Sequence, residues 1–307
     1  MHIVAPLFCL ILAATCVRAS HSHFEIIRRH GQHTRLARRA HSPNGRCGVK
    51  TAIKANANAS QAPSNVTVSS VNLKSSNQSL PSPILGLIDV ESTCGPIGAT
   101  RDVTPTSGPN GNIDWLNCGV SDGGWSPPYV TLKDIITQDL ASALQIPGSP
   151  FTACAPYVAL FELYAGQHGI PAILVAAIAM QESTCNAQTI GGAGEQGLMQ
   201  LTQDKCDGAP NGDCKDPDYN IRTGVEFFSA TLQNNGGSLL LTIGNYNGWP
   251  LGMTFGSATA AANGPCCRCQ NNLDYLHQLL NGWLQGINPY THNPRIGKYF
   301  NLDRCKA

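Results

Sequence analysis

Residues 169–200 read GIPAILVAAIAMQESTCNAQTIGGAGEQGLMQ, an apolar run followed by a glycine-rich polar segment. Ile173 to Met180 is apolar almost all round, the pattern of a helix at the centre of a core rather than on its surface. Pro171 suits a first helical turn, so the helix is expected from about Pro171 to Ser183. Glu182, its one carboxylate, falls at the end of this run. An isolated glutamate at a helix end is ordinarily a solvated surface residue. Here desolvation by the apolar helix and the negative end of its dipole both disfavour the anion. No Lys or Arg lies nearby in sequence to reverse them. Such a carboxyl holds its proton near neutral pH and can donate it. The second half is a glycine-rich turn that closes on Gly197-Leu198-Met199-Gln200.

Outward from this centre the chain reads as further helices. Cys154–Gly166 carries Tyr157, Leu160, Phe161 and Tyr164 at helical spacing, and Leu132–Leu144 shows a similar pattern. Tyr219–Asn234, Leu239–Asn245 and Leu273–Leu284 complete the set. No internal repeat or β-alternating series is evident, so the fold class is mainly α-helical, with disulfide-bearing loops. Turn signals crowd residues 94–150, with Trp115 and Trp125 among them. Those two rings could form a sugar-stacking platform, but packing on the main core is the favoured reading.

The 307 residues allow one or two domains. The formal charge of +1 makes no case for nucleic acid or an acidic membrane surface as partner. Residues 1–19 read as an export signal: an apolar run from Ile3 to Cys16, then Val17-Arg18-Ala19 with the small-residue cleavage pattern. The run is short for a bilayer span and no later segment is apolar enough, so no stable membrane anchor is expected. Residues 20–83 hold the dibasic pairs Arg28-Arg29 and Arg38-Arg39, then a Ser/Asn/Ala/Pro-rich stretch with too few large apolar side chains to fold. N-glycosylation sequons sit there at Asn58, Asn65 and Asn77. The dibasic pairs read equally as processing sites of a pro-segment or as a solvated basic run, and the stretch after them as a glycosylated linker, with a boundary expected near Ile84 and a catalytic domain over 84–307. The expected product is a secreted, extracellular monomer.

Cys9 and Cys16 leave with the signal, and Cys47 sits in the low-complexity region. The ten that remain allow up to five disulfides, with the pairing open. Cys266-Cys267-Arg268-Cys269 raises zinc, but it lacks paired C-x-x-C spacing and a matching pair of histidines. No metal and no cofactor is expected. A cysteine nucleophile would need a free thiol near His168 or His277, and both histidines are read instead as helix-surface residues.

Four motifs in order carry a family resemblance. They are Glu182-Ser183, the segment 191–200, Tyr219-Asn220-Ile221 with Gly224, and Asn245-Tyr246-Asn247-Gly248. Together they resemble the soluble lytic transglycosylase (SLT) domain, the lysozyme-like fold of glycoside hydrolase family 23, related to goose-type lysozyme. The resemblance covers roughly Cys154 to Trp249, and the flanks resemble secreted fungal versions. It implies Glu182 as catalytic acid/base. It places Gln200 and Met199 along the cleft, Tyr246 near the carboxyl, Asn245 and Asn247 as sugar contacts, and Gly197 where the backbone approaches closely. Asn220 reads as structural.

The chain departs from the family pattern at Asn245, where alanine is usual, and at Glu195, where small residues are commoner. Glu195 is a possible second acid that places water, or else a loop-bracing residue. With one carboxyl, the implied route is intramolecular: the sugar's own 6-hydroxyl closes a 1,6-anhydro end on MurNAc. The substrate implied is β-1,4-linked MurNAc-GlcNAc of peptidoglycan, or hypothetically a chitin-type glycan. The alternatives are hydrolysis at the same bond and a non-catalytic glycan-binding protein on the same fold.

Overall fold

The computed structural model describes residues 86–305. The expected export signal and pro-segment, the sequons at Asn58, Asn65 and Asn77, and Cys47 lie outside the described residues. Residues 86–305 belong to one compact unit, Ile84–Ala307. Four longer helices organise it: α1 (Val158–Gln167), α2 (Ala172–Ser183), α3 (Pro217–Asn234) and α4 (Leu239–Tyr246). Among the described residues the only β pairing is isolated bridges joining Ile190 to Gln196 and Gln196 to Leu201.

α2 is the axis of the core. Nine of its twelve residues are buried. It packs against α1, against the 3₁₀ helix Pro150–Tyr157 before it, and against the C-terminal run Gln278–Gln285. Two glycines on neighbouring helices let large side chains seat tightly. Met199 packs onto Gly224 of α3, where a Cβ would lie 2.5 Å from its sulfur. The tip of the Trp125 indole meets Gly244 of α4, too close to admit any Cβ. Trp115 and Trp125 are both fully buried, so they serve the core.

The end of α2 is held in an unfavourable backbone. Thr184 (φ 53°) and Cys185 (φ 55°) are consecutive left-handed residues, and neither is glycine. Their N–H groups close the helix on Met180 and Ala179 carbonyls at 3.0 and 3.1 Å. Ser183 Oγ adds a bond to Leu198 O at 2.8 Å, and Cys185 is joined to Cys154. The other disulfides are Cys94–Cys118, Cys206–Cys214, Cys266–Cys269 and Cys267–Cys305, so the Cys266–Cys269 cluster is occupied by bridges. Replacing Cys154 and Cys185 together by alanine should lower stability by about 2–4 kcal/mol. It should also reduce activity, because Glu182 sits three residues before the clamp. Denaturant titration and an activity assay check this; a double variant matching the parent in both would show the clamp to be idle.

Two expected helices form differently. Only Leu140–Gln145 of the Leu132–Leu144 pattern is helical. Asp134 instead accepts from the N–H and the hydroxyl of Thr131 (both 2.7 Å), a local turn that competes with helix. The Asn110 amide then takes both backbone groups of Ile136, at 2.7 and 2.8 Å. The C-terminal run begins as α-helix at Tyr275–His277, widens to a π turn over Gln278–Gly282 and ends as 3₁₀ at Trp283–Gln285. Here the Leu280 carbonyl accepts from Asn110 and Gln285 side chains (2.7 and 3.1 Å), which draws it away from the regular ladder.

His277, expected on a helix surface, is fully buried. Its ring bridges the Pro105 carbonyl and the Asn281 amide, both at 3.0 Å. Asn281 Nδ2 also donates to Gly111 O, which fixes it as a donor and leaves His277 Nδ1 to accept and Nε2–H to donate. Burial pushes the imidazole down to about 4. The histidine therefore serves as a neutral strut between the N-terminal loops and the C-terminal run. His168 is exposed, as read from sequence.

Candidate active site

Glu182 stands on the last turn of α2, half-buried, and Tyr275 donates its hydroxyl to Oε1 at 2.6 Å. Burial pushes the Glu182 carboxyl from its ordinary 4.5 up to about 7. The Tyr275 hydrogen bond pulls the other way, and the charge of Glu195 adds to the rise. Burial and the charge of Glu182 hold both Tyr275 and Tyr246 far above the usual phenol range, so both remain donors. A carboxyl poised near 7 beside two neutral hydroxyls can protonate an oxygen at neutral pH and then accept a proton back.

The glycine-rich turn is braced against α3. Asn220, fully buried, accepts from Met199 N–H at 2.8 Å and donates to the carbonyls of Gln196 (2.8 Å) and Cys214 (2.7 Å). Gly197 adopts φ 78°, and its Cα lies against the Asn220 amide with no room for a Cβ. Glycine is required there on both counts. Tyr246, from the end of α4, donates to the Met199 carbonyl at 2.8 Å and packs on Phe227 and Phe228. Met199 is buried between the turn and Gly224.

Gln200 adopts φ 50° and donates its amide to Gly197 O (2.8 Å) and Thr189 O (3.3 Å). Those donations orient the amide and leave Oε1 free to accept. Oε1 closes over Gly191 alongside Glu195 Oε2: a Cβ at Gly191 would lie 2.6 Å from the first and nearer still to the second. Glu195 also accepts from Ala193 N–H at 3.1 Å, so it braces its loop. Asn245 spends its amide on Trp249 O (2.8 Å) and Asn235 (3.0 Å), tying the end of α4 to the end of α3. Asn247 accepts from the Trp249 indole at 3.2 Å.

The structure thus ties Tyr246 to the Met199 carbonyl within the field of Glu182, with the Met199 side chain buried on Gly224 rather than open to a cleft, Glu195 and Gln200 paired over Gly191, and Glu195 close enough for its charge to act on Glu182. Asn245 and Asn247 are engaged with the protein at the end of α4. Sequence reasoning missed Tyr275, the residue that touches the acid. A tyrosine hydroxyl within an apolar helix needs a partner when buried, and that requirement was the available signal. It also missed Gln181, whose carbonyl oxygen accepts from the Trp283 indole at 2.6 Å and whose amide donates to Gln278 at 3.2 Å.

Among the described residues no cluster of His, Cys, Asp and Glu has metal-site geometry, and no helix is long and apolar enough to cross a membrane. Among solved structures, the chain is similar to an inactive mutant of the lytic transglycosylase Slt from Pseudomonas aeruginosa. The identity is 26% over 29% of this chain and 16% of that one, with a TM-score of 0.28. It is also similar to the 70 kDa soluble lytic transglycosylase SLT70 from Escherichia coli, at 28% identity over 30% of this chain and 16% of that one, TM-score 0.28. A third match, a complex of the 70-kDa soluble lytic transglycosylase with bulgecin A, has 27% identity, 32% and 18% coverage and a TM-score of 0.30. The matched part spans less than a fifth of those chains. Residues 159–253, which hold Glu182, the Gly197–Gln200 turn, Asn220 and Tyr246, match the family model of the transglycosylase SLT domain.

Proposed function

We propose that the chain is a secreted enzyme that cleaves the β-1,4 link between MurNAc and GlcNAc of peptidoglycan by lytic transglycosylation. The observation that carries this reading is the placing of Glu182 on the last turn of the buried helix α2, where Tyr275 donates to its Oε1 at 2.6 Å and burial pushes the carboxyl upward. Glu182 donates its proton to the glycosidic oxygen and the leaving sugar departs. The carboxylate then accepts the proton of the 6-hydroxyl on the same MurNAc, and that oxygen closes onto C1. The bond from C1 to the leaving oxygen is exchanged for one from C1 to O6, with no water consumed. Tyr275 steadies the carboxylate between the two transfers. The domain order of 1–19, 20–83 and 84–307, export and action as a glycosylated monomer belong to the same proposal.

A second reading is hydrolysis at the same bond, and one observation favours it. Glu195 Oε2 and Gln200 Oε1 are both acceptors and both face the same space over Gly191. A donor placed between them, such as a water, would satisfy both oxygens. Digestion of purified peptidoglycan, followed by mass spectrometry, separates the two routes. Anhydro ends, lighter by one water than reducing ends, are the expected product. Reducing ends that take up label from heavy-oxygen water would overturn transglycosylation in favour of hydrolysis, with Glu195 or another acid placing the water.

A further inference from the structure

We propose that Tyr290 is a sugar-stacking platform beside Glu182, formed by the C-terminal segment outside residues 159–253 and presenting a flat aromatic face to a pyranose ring of the glycan. The inference rests on the glycan-cleaving reading above. Tyr290 is the outermost of three rings in a row. Phe151 lies 6.3 Å from Trp283, and Trp283 meets Tyr290 nearly edge to face at 5.9 Å. The inner two are fully buried, while Tyr290 is 39% exposed. Its location follows from Trp283, whose indole is hydrogen-bonded to Gln181, the residue directly before the acid on α2. Burial at the hydroxyl end and the charge of Glu182 both push the Tyr290 phenol upward, which places the two side chains within one another's field.

The ring is held before any ligand arrives. Asn288 Oδ1 accepts from Tyr290 N–H at 3.0 Å, and the N–H of His292 returns to Asn288 O at 3.0 Å. Pro289 packs on Gly282 of the π turn, 3.0 Å from where a Cβ would be, and Ile296 N–H donates to the Pro289 carbonyl at 3.1 Å. A pre-ordered aromatic ring loses little entropy on binding. The Gln181 side chain bonds the phenol and Trp283 meets the ring edge to face, so Tyr290 is fixed in place while its outer part stays open to solvent. The apolar face of a pyranose is the ligand chemistry that matches a flat ring next to a proton donor.

The test uses the mature chain carrying Glu182→Gln, so that glycan binds without being cut, and a muramyl tetrasaccharide prepared from peptidoglycan as probe. Calorimetry on this background should show Kd rising about three- to ten-fold for Tyr290→Ala and for Tyr290→Leu. Tyr290→Phe and Tyr290→Trp should stay within about two-fold of the parent. Leucine keeps bulk on Trp283, so its loss of affinity would report the flat face rather than packing. Equal affinity for the Leu and Phe variants would overturn the platform while leaving the functional reading intact. A Glu182→Gln protein that does not bind the tetrasaccharide at all would overturn the substrate class, and the platform with it.

Discussion

Glu182→Gln is expected to lower peptidoglycan cleavage by about 10²–10⁴-fold while leaving the protein folded. Glutamine keeps the size of the side chain and can still accept from Tyr275, but it has no proton to give. The parent should lose activity as pH rises through about 7, because cleavage needs the protonated acid and burial sets its titration there. Activity of the Gln variant at parental levels would remove Glu182 from the mechanism.

The same substitution has a stability signature. Glu182 titrates near 7 in the folded protein against an ordinary 4.5, so the folded state holds the extra proton between those values. Its contribution is therefore full below about 4.5 and lost as pH rises through about 7, worth up to about 3 kcal/mol. His277 runs the other way. With the folded imidazole at about 4 against 6.5, its contribution is present above 6.5 and lost as pH falls toward 4. Over the shared window the two slopes oppose each other, so the parent should be nearly insensitive to pH between about 4.5 and 6.5. Removing Glu182 should unmask the histidine, and the Gln variant should become more stable with rising pH across that window. Denaturant melts at several pH values measure both slopes.

How much of this was legible in sequence depended on whether a residue's partner was near in the chain. α2 and its end at Ser183 follow from a local apolar run, whereas the clamp on Cys185 does not, since its partner Cys154 lies 31 residues away. The glycine-rich turn is legible for the same reason as α2. The partners of Glu182, Asn110 and His277 are not, since Tyr275, Leu280 and Pro105 lie between 93 and 172 residues away. Periodicity at Leu132–Leu144 and Leu273–Leu284 correctly marked apolar side chains that face the core. It could not show that Asn110 would take the backbone groups of Ile136 and Leu280 and so bend both segments away from regular helix. His277 was misplaced because a histidine in a helical pattern looks amphipathic until both ring nitrogens are seen to be satisfied inside.

Asn220 shows how the scaffold reaches the acid, and Asn220→Ala should cost about 3–5 kcal/mol. Alanine would leave the N–H of Met199 and the carbonyls of Gln196 and Cys214 without their partner at a fully buried position. Each orphaned group costs about 1–3 kcal/mol, and some relief comes from relaxation of the turn. Asn220→Asp should be no better at neutral pH, because it keeps the acceptor for Met199 but points a carboxylate oxygen at two carbonyls. It should recover partly at acid pH, where the protonated carboxyl can donate to one of them. Alanine should show no such recovery. Activity should fall in both variants under conditions where they remain folded, since the Met199 carbonyl that receives Tyr246 rides on the same turn. Chemical denaturation and turnover, measured together, distinguish this from Glu182→Gln, which removes the chemistry and keeps the fold. A loss below about 1 kcal/mol for Asn220→Ala would mean that the turn is held by its own backbone bridges instead.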